Sequence, residues 1–363
     1  MSLDVARGMA VAMMLFVEQL RGNGFPSLRH ATWVGLTWAD IVFPCFMFLA
    51  GCSLAVVTLR VPVTGNLIAM FVRRALNLFA VGLVFNAFSG GGADLSTLRI
   101  PGVLQRIGVC YLCASAIFLR TGVRGQIGWI VGLLAGYAAL LKFVPVPGYG
   151  AGHIDEAVGN LAWWIDSHVL AGHTWSGAPA PGFDPEGIIS TLPAIATVLL
   201  GALAGRVLRA PVEASVRVRR LLGGGAAFAA AGLALHLWLP INKNLWTSSF
   251  TLFMAGWSSL WFAAFYWLID VRGVQRWATP FVIYGMNAIV IFVGAGLVAK
   301  MMGLIAWQNA AGAKTTLKGW VYANGFTPHA SPVNASLAFA LAFVAAFLGL
   351  GWVLWRKRWF LKI

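Results

Sequence analysis

The stretch His30-Ala-Thr-Trp33-Val-Gly-Leu-Thr-Trp38-Ala-Asp40-Ile-Val-Phe-Pro44 holds the residues best suited to chemistry. A polar loop here runs into an apolar helix. Histidine is the side chain that most readily moves protons near neutral pH. Asp40 follows at the helix start, close enough in a tight loop to orient an imidazole. The competing structural reading is an interfacial loop, with Trp33 and Trp38 at headgroup level. Asp40 would then only cap the helix, favoured by its N-terminal dipole.

Ionisable side chains in or near a membrane are costly and are functional suspects. Asp4 and Arg7 are spaced i, i+3 on one helix face. They form either a structural ion pair or a contact to phosphate. In Arg99-Ile-Pro-Gly-Val-Leu-Gln105-Arg106, Pro101 suits a helix start, which puts Arg106 almost two turns into a span. There it either snorkels or faces inward as an anion site, since arginine grips phosphate by forked, charge-assisted hydrogen bonds. Arg7, Arg99, Gln105 and Arg106 are the donor-binding candidates. Asn242, Lys243 and Asn244 make a polar turn, whose structural reading is an ordinary loop. Asp184-Pro-Glu186-Gly reads first as a helix start with acids in its first turn. Asn287 is an amide inside a span, either functional or a hydrogen-bonding glue between helices.

Other chemistries are excluded. The four cysteines, Cys45, Cys52, Cys110 and Cys113, all fall in apolar runs. Cys110 and Cys113 lack the second pair of a zinc site and read as small core residues. His153, His168 and His173 have no metal-ligand spacing, so no metal is expected. The chain has no glycine-rich phosphate loop of nucleotide hydrolases, no serine elbow and no H-E-x-x-H. That removes ATP-driven transport and the commonest hydrolase designs.

The elements that must position these residues are membrane helices. Of the 363 residues 60% are hydrophobic and only 10% charged, against about 25% charged in soluble domains. Spanning the hydrocarbon takes about 20 apolar residues. Such runs fall at 8–20, 38–59, 71–88, 101–119, 127–144, 187–208, 221–239, 248–269, 280–299 and 334–355. The expected fold is an all-α polytopic integral membrane protein of about ten transmembrane helices. It forms one domain over 1–363, with a long extracytoplasmic loop at about 145–186. The first run lacks a small-residue cleavage site and reads as a span rather than a removed signal peptide.

The net charge of +15 comes from 26 Lys+Arg against 11 Asp+Glu. The basic residues cluster in short loops rather than interleaving with aromatics, so no nucleic acid is expected. One set of loops holds Arg60, Arg73, Arg74, Arg120, Arg124, Arg206, Arg209, Arg217, Arg219, Arg220, Arg272 and Arg276, with Arg356-Lys357-Arg358 on the same side. The loop 145–186 has no Lys or Arg and carries Asp155, Glu156, Asp166, Asp184 and Glu186. The positive-inside rule then puts both termini in the cytoplasm and His30 outside. Lys300, Lys314 and Lys318 in 300–332 work mildly against this.

The blocks Ser2-Leu-Asp-Val-Ala-Arg7-Gly, Leu28-Arg-His30-Ala-Thr-Trp, Arg99-Ile-Pro-Gly-Val-Leu-Gln-Arg106, Asp184-Pro-Glu-Gly-Ile-Ile-Ser-Thr, Pro240-Ile-Asn-Lys-Asn-Leu-Trp and Arg358-Trp-Phe-Leu-Lys-Ile together resemble the heparan-α-glucosaminide N-acetyltransferase family, in its bacterial branch. The resemblance covers nearly the whole chain. It implies transmembrane acetylation, with acetyl-CoA as cytoplasmic donor substrate and an amino sugar or glycan as extracytoplasmic acceptor. It implies a multi-pass protein of the bacterial cytoplasmic membrane, embedded in its lipid bilayer. Relatives usually carry a few more residues before the Ser-Leu-Asp block.

The catalytic histidine of the family falls on His30, with Asp40 beside it. The family has a functional asparagine in a Val-Asn sequence where this chain reads Val17-Glu18-Gln19. Glu18, Gln19 or Asn23 takes that place. His30 would act as general base on the ammonium or as a nucleophile carrying the acetyl group. Asn244, Asn287 or backbone amides would hold the oxyanion. Glu18, Asp184, Asn242, Lys243, Asn244 and Asn287 are the acceptor-side candidates. The oligomeric state stays open, a homodimer among the options. The rival readings are a secondary transporter for a sugar or small solute, and an idle relative that binds envelope glycans.

The charge asymmetry gives a direct expectation. A cysteine placed at Ala171 should react with an impermeant thiol reagent on intact cells, and one at Ser215 only after lysis. The reverse pattern would overturn the orientation.

Overall fold

The computed structural model describes residues 1–21, 24–88, 94–308 and 312–360. Each of the ten apolar runs is helical. In hydrocarbon a chain must satisfy its own backbone groups, and a helix does so within one segment. Among the described residues, eight helices are long and apolar enough to cross a membrane. They are α2 (Val42–Thr58, led in by a 3-10 turn at Trp38–Ile41), α3 (Gly65–Ala87), α4 (Val103–Arg120), α5 (Val123–Phe143), α7 (Thr191–Arg209), α8 (Ala214–His236), α9 (Ser248–Phe265, extended by a π turn at Tyr266–Val271) and α13 (Pro332–Arg356). Helix α1 (Ser2–Gln19) carries Asp4, Arg7 and Glu18 and packs on α2, α13 and the short helix α10 (Thr279–Met286). The short helices α6 (Leu161–Val169) and α12 (Leu317–Gly325), and a two-stranded hairpin (Ala306–Gln308 with Lys314–Thr316), lie between the long ones.

Three expectations need correction. The run 280–299 is not one straight span. It is broken at Asn287 into α10 (Thr279–Met286) and α11 (Ala288–Leu304), which with the lead-in turn meet at 73°. Helix α7 begins at Thr191, so Asp184 and Glu186 are not in its first turn; they face Arg99 instead. Helix α4 begins at Val103, so Arg106 lies in its first turn rather than almost two turns in.

The main core joins α1, α2, α4, α7 and α9, with Phe48, Leu49, Leu199, Phe250 and Phe262 fully enclosed. At Gly51 and Gly201 the α2 and α7 backbones nearly touch. A methyl group on either would overlap a carbonyl of the other helix. Small residues allow this approach in membranes, where tight packing rather than water expulsion holds helices together.

A second, smaller core sits at one pole. Tyr137 and Leu141 of α5 pack with Ile154, Leu161, Phe183 and Leu245. The long loop thus folds into a cap with its own interior. Trp33 joins it: its indole meets Phe183 edge-on at 5.3 Å and donates Nε1–H to the Ile154 carbonyl at 3.0 Å. Trp33 therefore ties the His30 loop to the cap. Trp38 is exposed and packs edge-on against Trp257. We call this end the His30 pole. The loops joining α2 to α3, α4 to α5, α7 to α8 and α9 to α10 form the Arg7 pole.

The close crossing makes a stability prediction. Gly201→Leu should force α2 and α7 apart, at a cost of about 1–3 kcal/mol or more from overpacking. Thermal unfolding in detergent measures it, and an unchanged midpoint would contradict the contact.

Candidate active site

Asp40 is built into its place by its neighbours. Thr37 and Asp40 form a reciprocal capping box at the start of the 3-10 turn. Asp40 Oδ2 accepts from the Thr37 N–H at 3.1 Å, the Thr37 hydroxyl at 2.9 Å and the Ala31 N–H at 3.0 Å. Its Oδ1 is 2.7 Å from His30 Nδ1 and 3.1 Å from Lys243 Nζ. Capping and orienting are thus the work of one carboxylate, divided between its two oxygens. Asp40 is 1% exposed while the His30 side chain is 53% exposed. The acid is hidden and the imidazole is presented.

Lys243 reaches this pair from the turn between α8 and α9. That turn is stitched to the His30 loop: Gly35 N–H donates to the Ile241 carbonyl at 3.0 Å, and Asn244 Nδ2 to the Thr32 carbonyl at 3.4 Å. Asn242 is buried, and its Oδ1 accepts the Leu245 N–H. It shapes the turn, and its Nδ2 has no hydrogen-bond partner among the described residues. Glu18, at the end of α1, is exposed to solvent, with Lys300, Lys318 and Lys243 as its electrostatic neighbours. Gln19 is buried, and Asn23 lies outside the described residues.

Arg99 links two loops at the same pole. It forks onto Asp184 at 2.8 and 2.7 Å and also reaches Glu186 at 2.6 Å. Burial works against the Glu186 charge, but the cations Arg99, Arg106 and Lys243 outweigh it, so its carboxyl sits below the usual range. Arg106 is buried and bonds the Gly187 carbonyl and the Ser190 hydroxyl, with its guanidinium 5.3 Å over Trp246. Gln105 packs against Gly82 and Gly102. All three donor candidates lie at the His30 pole, and Gln105 Nε2 and Arg106 Nε and Nη1 have no hydrogen-bond partner among the described residues.

Arg7 is the donor candidate that lines a cleft. The cleft runs between α1 and α11 on one side and α2, α3 and α4 on the other. It encloses about 680 Å³ of space, counting its open mouth. Its lining is mostly apolar, including Val11, Met14, Leu78 and Phe292, with Arg7 and Arg74 as its charged groups. Arg7 pairs with Asp4 at 2.6 Å and caps the broken span by donating Nε–H to the Gly285 carbonyl at 3.0 Å. Arg74 lies 5.3 Å over the Tyr111 ring. Toward the His30 pole, Phe292 stacks on Phe85 at 6.3 Å. Lys300 lies across the Phe85 ring at 3.3 Å and bonds its carbonyl at 2.7 Å. Asn287 marks the break beside the cleft-lining Ala288 and is buried.

Sequence reasoning missed several of these residues. Arg74 counted only as an orientation charge beside Arg73. Thr37 carried the capping-box signal, a threonine three residues before an acid. Asp166 counted only as loop charge, although the apolar Trp163, Trp164, Ile165 and Val169 around it point to burial. It is 1% exposed and accepts the Ile188 N–H at 3.0 Å. Its Oδ2 has no hydrogen-bond partner among the described residues. Burial, helped by the Asp184 charge, pushes its carboxyl up to about 7.

Fold and site together define a multi-pass membrane protein that holds a histidine–carboxylate pair at one pole and an arginine-lined cleft between its helices. The chain belongs to the heparan-α-glucosaminide N-acetyltransferase family. The family model for heparan-alpha-glucosaminide N-acetyltransferase, catalytic, matches residues 1–241. The chain is similar to heparan-alpha-glucosaminide N-acetyltransferase of Mus musculus, 29% identical in a match 347 residues long that covers 80% of this chain and 52% of the mouse protein. It is likewise 29% identical to that of Homo sapiens over 352 residues, covering 81% of this chain and 52% of the human one. The chain spans about half the length of the curated relatives it matches.

Asp166 gives a pH prediction. An unfolded aspartate releases its proton near pH ~4, and the folded one holds it to about 7. The folded state therefore binds more protons between those values, and stability falls as pH rises through them. Asp166→Asn mimics the protonated side chain. It should flatten the decline between pH ~4 and ~7 and stabilise the protein above it, as read from unfolding midpoints across pH. An unchanged slope would contradict the assignment.

Proposed function

We propose that this protein moves an acetyl group from acetyl-CoA, supplied at the Arg7 pole, to the amine of an amino sugar at the His30 pole. The observation that carries this is the pairing of an arginine-marked apolar cleft with a presented histidine whose Nδ1 is held by a buried acid. The cleft suits a donor with a polyanionic head and a long uncharged arm. Arg7 and Arg74 would hold phosphates by charge-assisted hydrogen bonds, and the apolar walls would take the arm. No metal is required. The lipid bilayer surrounds the helices, and the charge bias of the loops supports a bacterial cytoplasmic membrane with the acceptor outside.

In this reading the thioester C–S bond breaks as the C–N bond of the amide forms. The acceptor ammonium loses two protons. One ends on the departing thiol and the other leaves through His30. His30 Nε2, the ring nitrogen away from Asp40, either takes the proton directly or first carries the acetyl group. Asn244 beside it is a candidate donor to the developing oxyanion. Glu18 would receive the cationic amine, with Gln19 and Asn23 the other candidates for the role of the family's asparagine. Arg99, Asp184 and Glu186 hold the cap that walls the acceptor side. Enclosing the thioester away from bulk water would limit its hydrolysis.

The test uses purified protein, radiolabelled acetyl-CoA and a panel of amino sugars. General acid–base help is worth roughly 10²–10⁴-fold, so His30→Ala should lose transfer by at least that while still folding and binding acetyl-CoA. A folded His30→Ala protein with near wild-type turnover would sink the proposal. A wild-type protein that neither binds acetyl-CoA nor transfers from it, yet moves a sugar across a vesicle, would establish a permease instead.

A further inference from the structure

Lys243, His30 and Asp40 form a triangle that ordinary hydrogen bonding does not satisfy on every side. Lys243 Nζ is 2.9 Å from His30 Nδ1, and both lie within 3.1 Å of Asp40 Oδ1. An ammonium has only hydrogens to offer, and a carboxylate oxygen only lone pairs. The imidazole Nδ1 has a single in-plane position, holding either a hydrogen or a lone pair. If Nδ1 accepts from Lys243, its lone pair faces Asp40 Oδ1 at 2.7 Å. If Nδ1–H donates to Asp40, the lysine donates to the same oxygen and both bonds are made. We propose that Lys243 is the standing counter-ion of Asp40, which leaves His30 neutral, with Nδ1–H on the acid and Nε2 bare.

The charge count supports this. Three donors already occupy Oδ2, and two more groups crowd onto Oδ1, so Asp40 is ionised by its contacts. A buried carboxylate needs one positive partner. Two are in contact with it, and they are in contact with each other. Two positive charges at that spacing repel strongly, so only one of the pair carries the charge. The lysine is the better choice because the imidazole alone can remain a donor to Asp40 without being charged.

Other charged groups around His30 have other duties. Arg29 next to it donates to the Gly24 carbonyl. Glu18 from α1 and Glu186 from the cap are electrostatic neighbours of Lys243. Lys243 is also fixed by its backbone. The turn ends on Trp246, a fully buried non-glycine residue at φ 52°. Such conformations are strained and persist only where surroundings over-determine them. Here Phe43 and Phe250 pack edge-on against the Trp246 indole, which donates to Thr197 Oγ1. Lys243 is therefore a positioning residue, acting on His30 through Asp40, rather than an acceptor ligand.

The decisive experiment reads His30 directly. Protein labelled with ¹⁵N-histidine is examined in detergent near neutral pH, with the His30 signals assigned by their loss in His30→Gln. Wild-type protein should show a neutral ring protonated at Nδ1. In Lys243→Met the buried carboxylate has only the imidazole to balance it, so His30 should show both nitrogens protonated. Lys243→Arg should restore the neutral pattern, and Lys243→Gln supplies a second neutral variant should the methionine form fold poorly. An unchanged neutral ring in the folded neutral variants would overturn the proposal, as would a doubly protonated ring in wild type.

The kinetic arm rests on the acetyl-transfer reading. Lys243→Met should lower kcat about tenfold or more, with activity recovering at higher pH and with KM for acetyl-CoA and for the amine unchanged. A rise in KM for the amine alone would make Lys243 an acceptor ligand and overturn the positioning role. The spectroscopic arm needs no substrate. Absence of transfer in wild type would therefore remove the transfer reading without touching the counter-ion assignment.

Discussion

The carboxylate of Asp40 is the point on which the His30 pole depends. A buried charge is tolerable only when its lone pairs are spoken for, and Asp40 draws its donors from two separate stretches of chain. Thr37 and Ala31 come from its own loop, His30 from the loop's start, and Lys243 from a turn more than 200 residues away. Once that oxygen pair is satisfied, the start of α2, the His30 loop and the α8–α9 turn cannot move independently. The Trp33 bridge to Ile154 and the Gly35 bridge to Ile241 make the same attachment from either side. The site is thereby held on rigid supports although much of it is loop.

A second network secures the cap. Asp184 is fully enclosed and accepts from Arg99 twice, from the Trp175 N–H and from the Glu186 N–H. Arg99 stands just before α4 and Asp184 just before α7, so the fork ties the entries of two spans together. Arg106, one turn further on, reaches the same loop through Gly187 and Ser190. Arginines that sequence context offers as phosphate ligands thus also bond protein carboxylates and carbonyls. Arg7 differs because its partners, Asp4 and the Gly285 carbonyl, leave it on a cleft wall.

Much of the architecture was legible in the residues. Hydrocarbon imposes a simple demand, a long apolar run with satisfied backbone, and ten such runs stand out. The His30–Asp40 pair was legible too, because ten residues of loop can bring a side chain back to a helix start. What stayed hidden depends on contacts between distant segments. No periodicity says that Lys243 meets Asp40 or that Arg74 meets Tyr111. The break at Asn287 was also hidden, since its flanks are as apolar as any straight span. The Asp184 block misled because an acid before a helix commonly serves that helix, whereas here a distant arginine claims it.

The cleft-lining Phe292 stacks on Phe85, with Lys300 laid across the latter ring, on the His30-pole side of the cleft. Any cell that stores energy as an ion gradient pays heavily for an open passage through its membrane. Two aromatic rings exclude hydrated ions, and a fixed ammonium beside them repels stray cations and protons. A thin, flexible, uncharged chain can part such rings where a solvated ion cannot. A pair of rings with an ammonium across it would thus help keep the membrane electrically tight at this point.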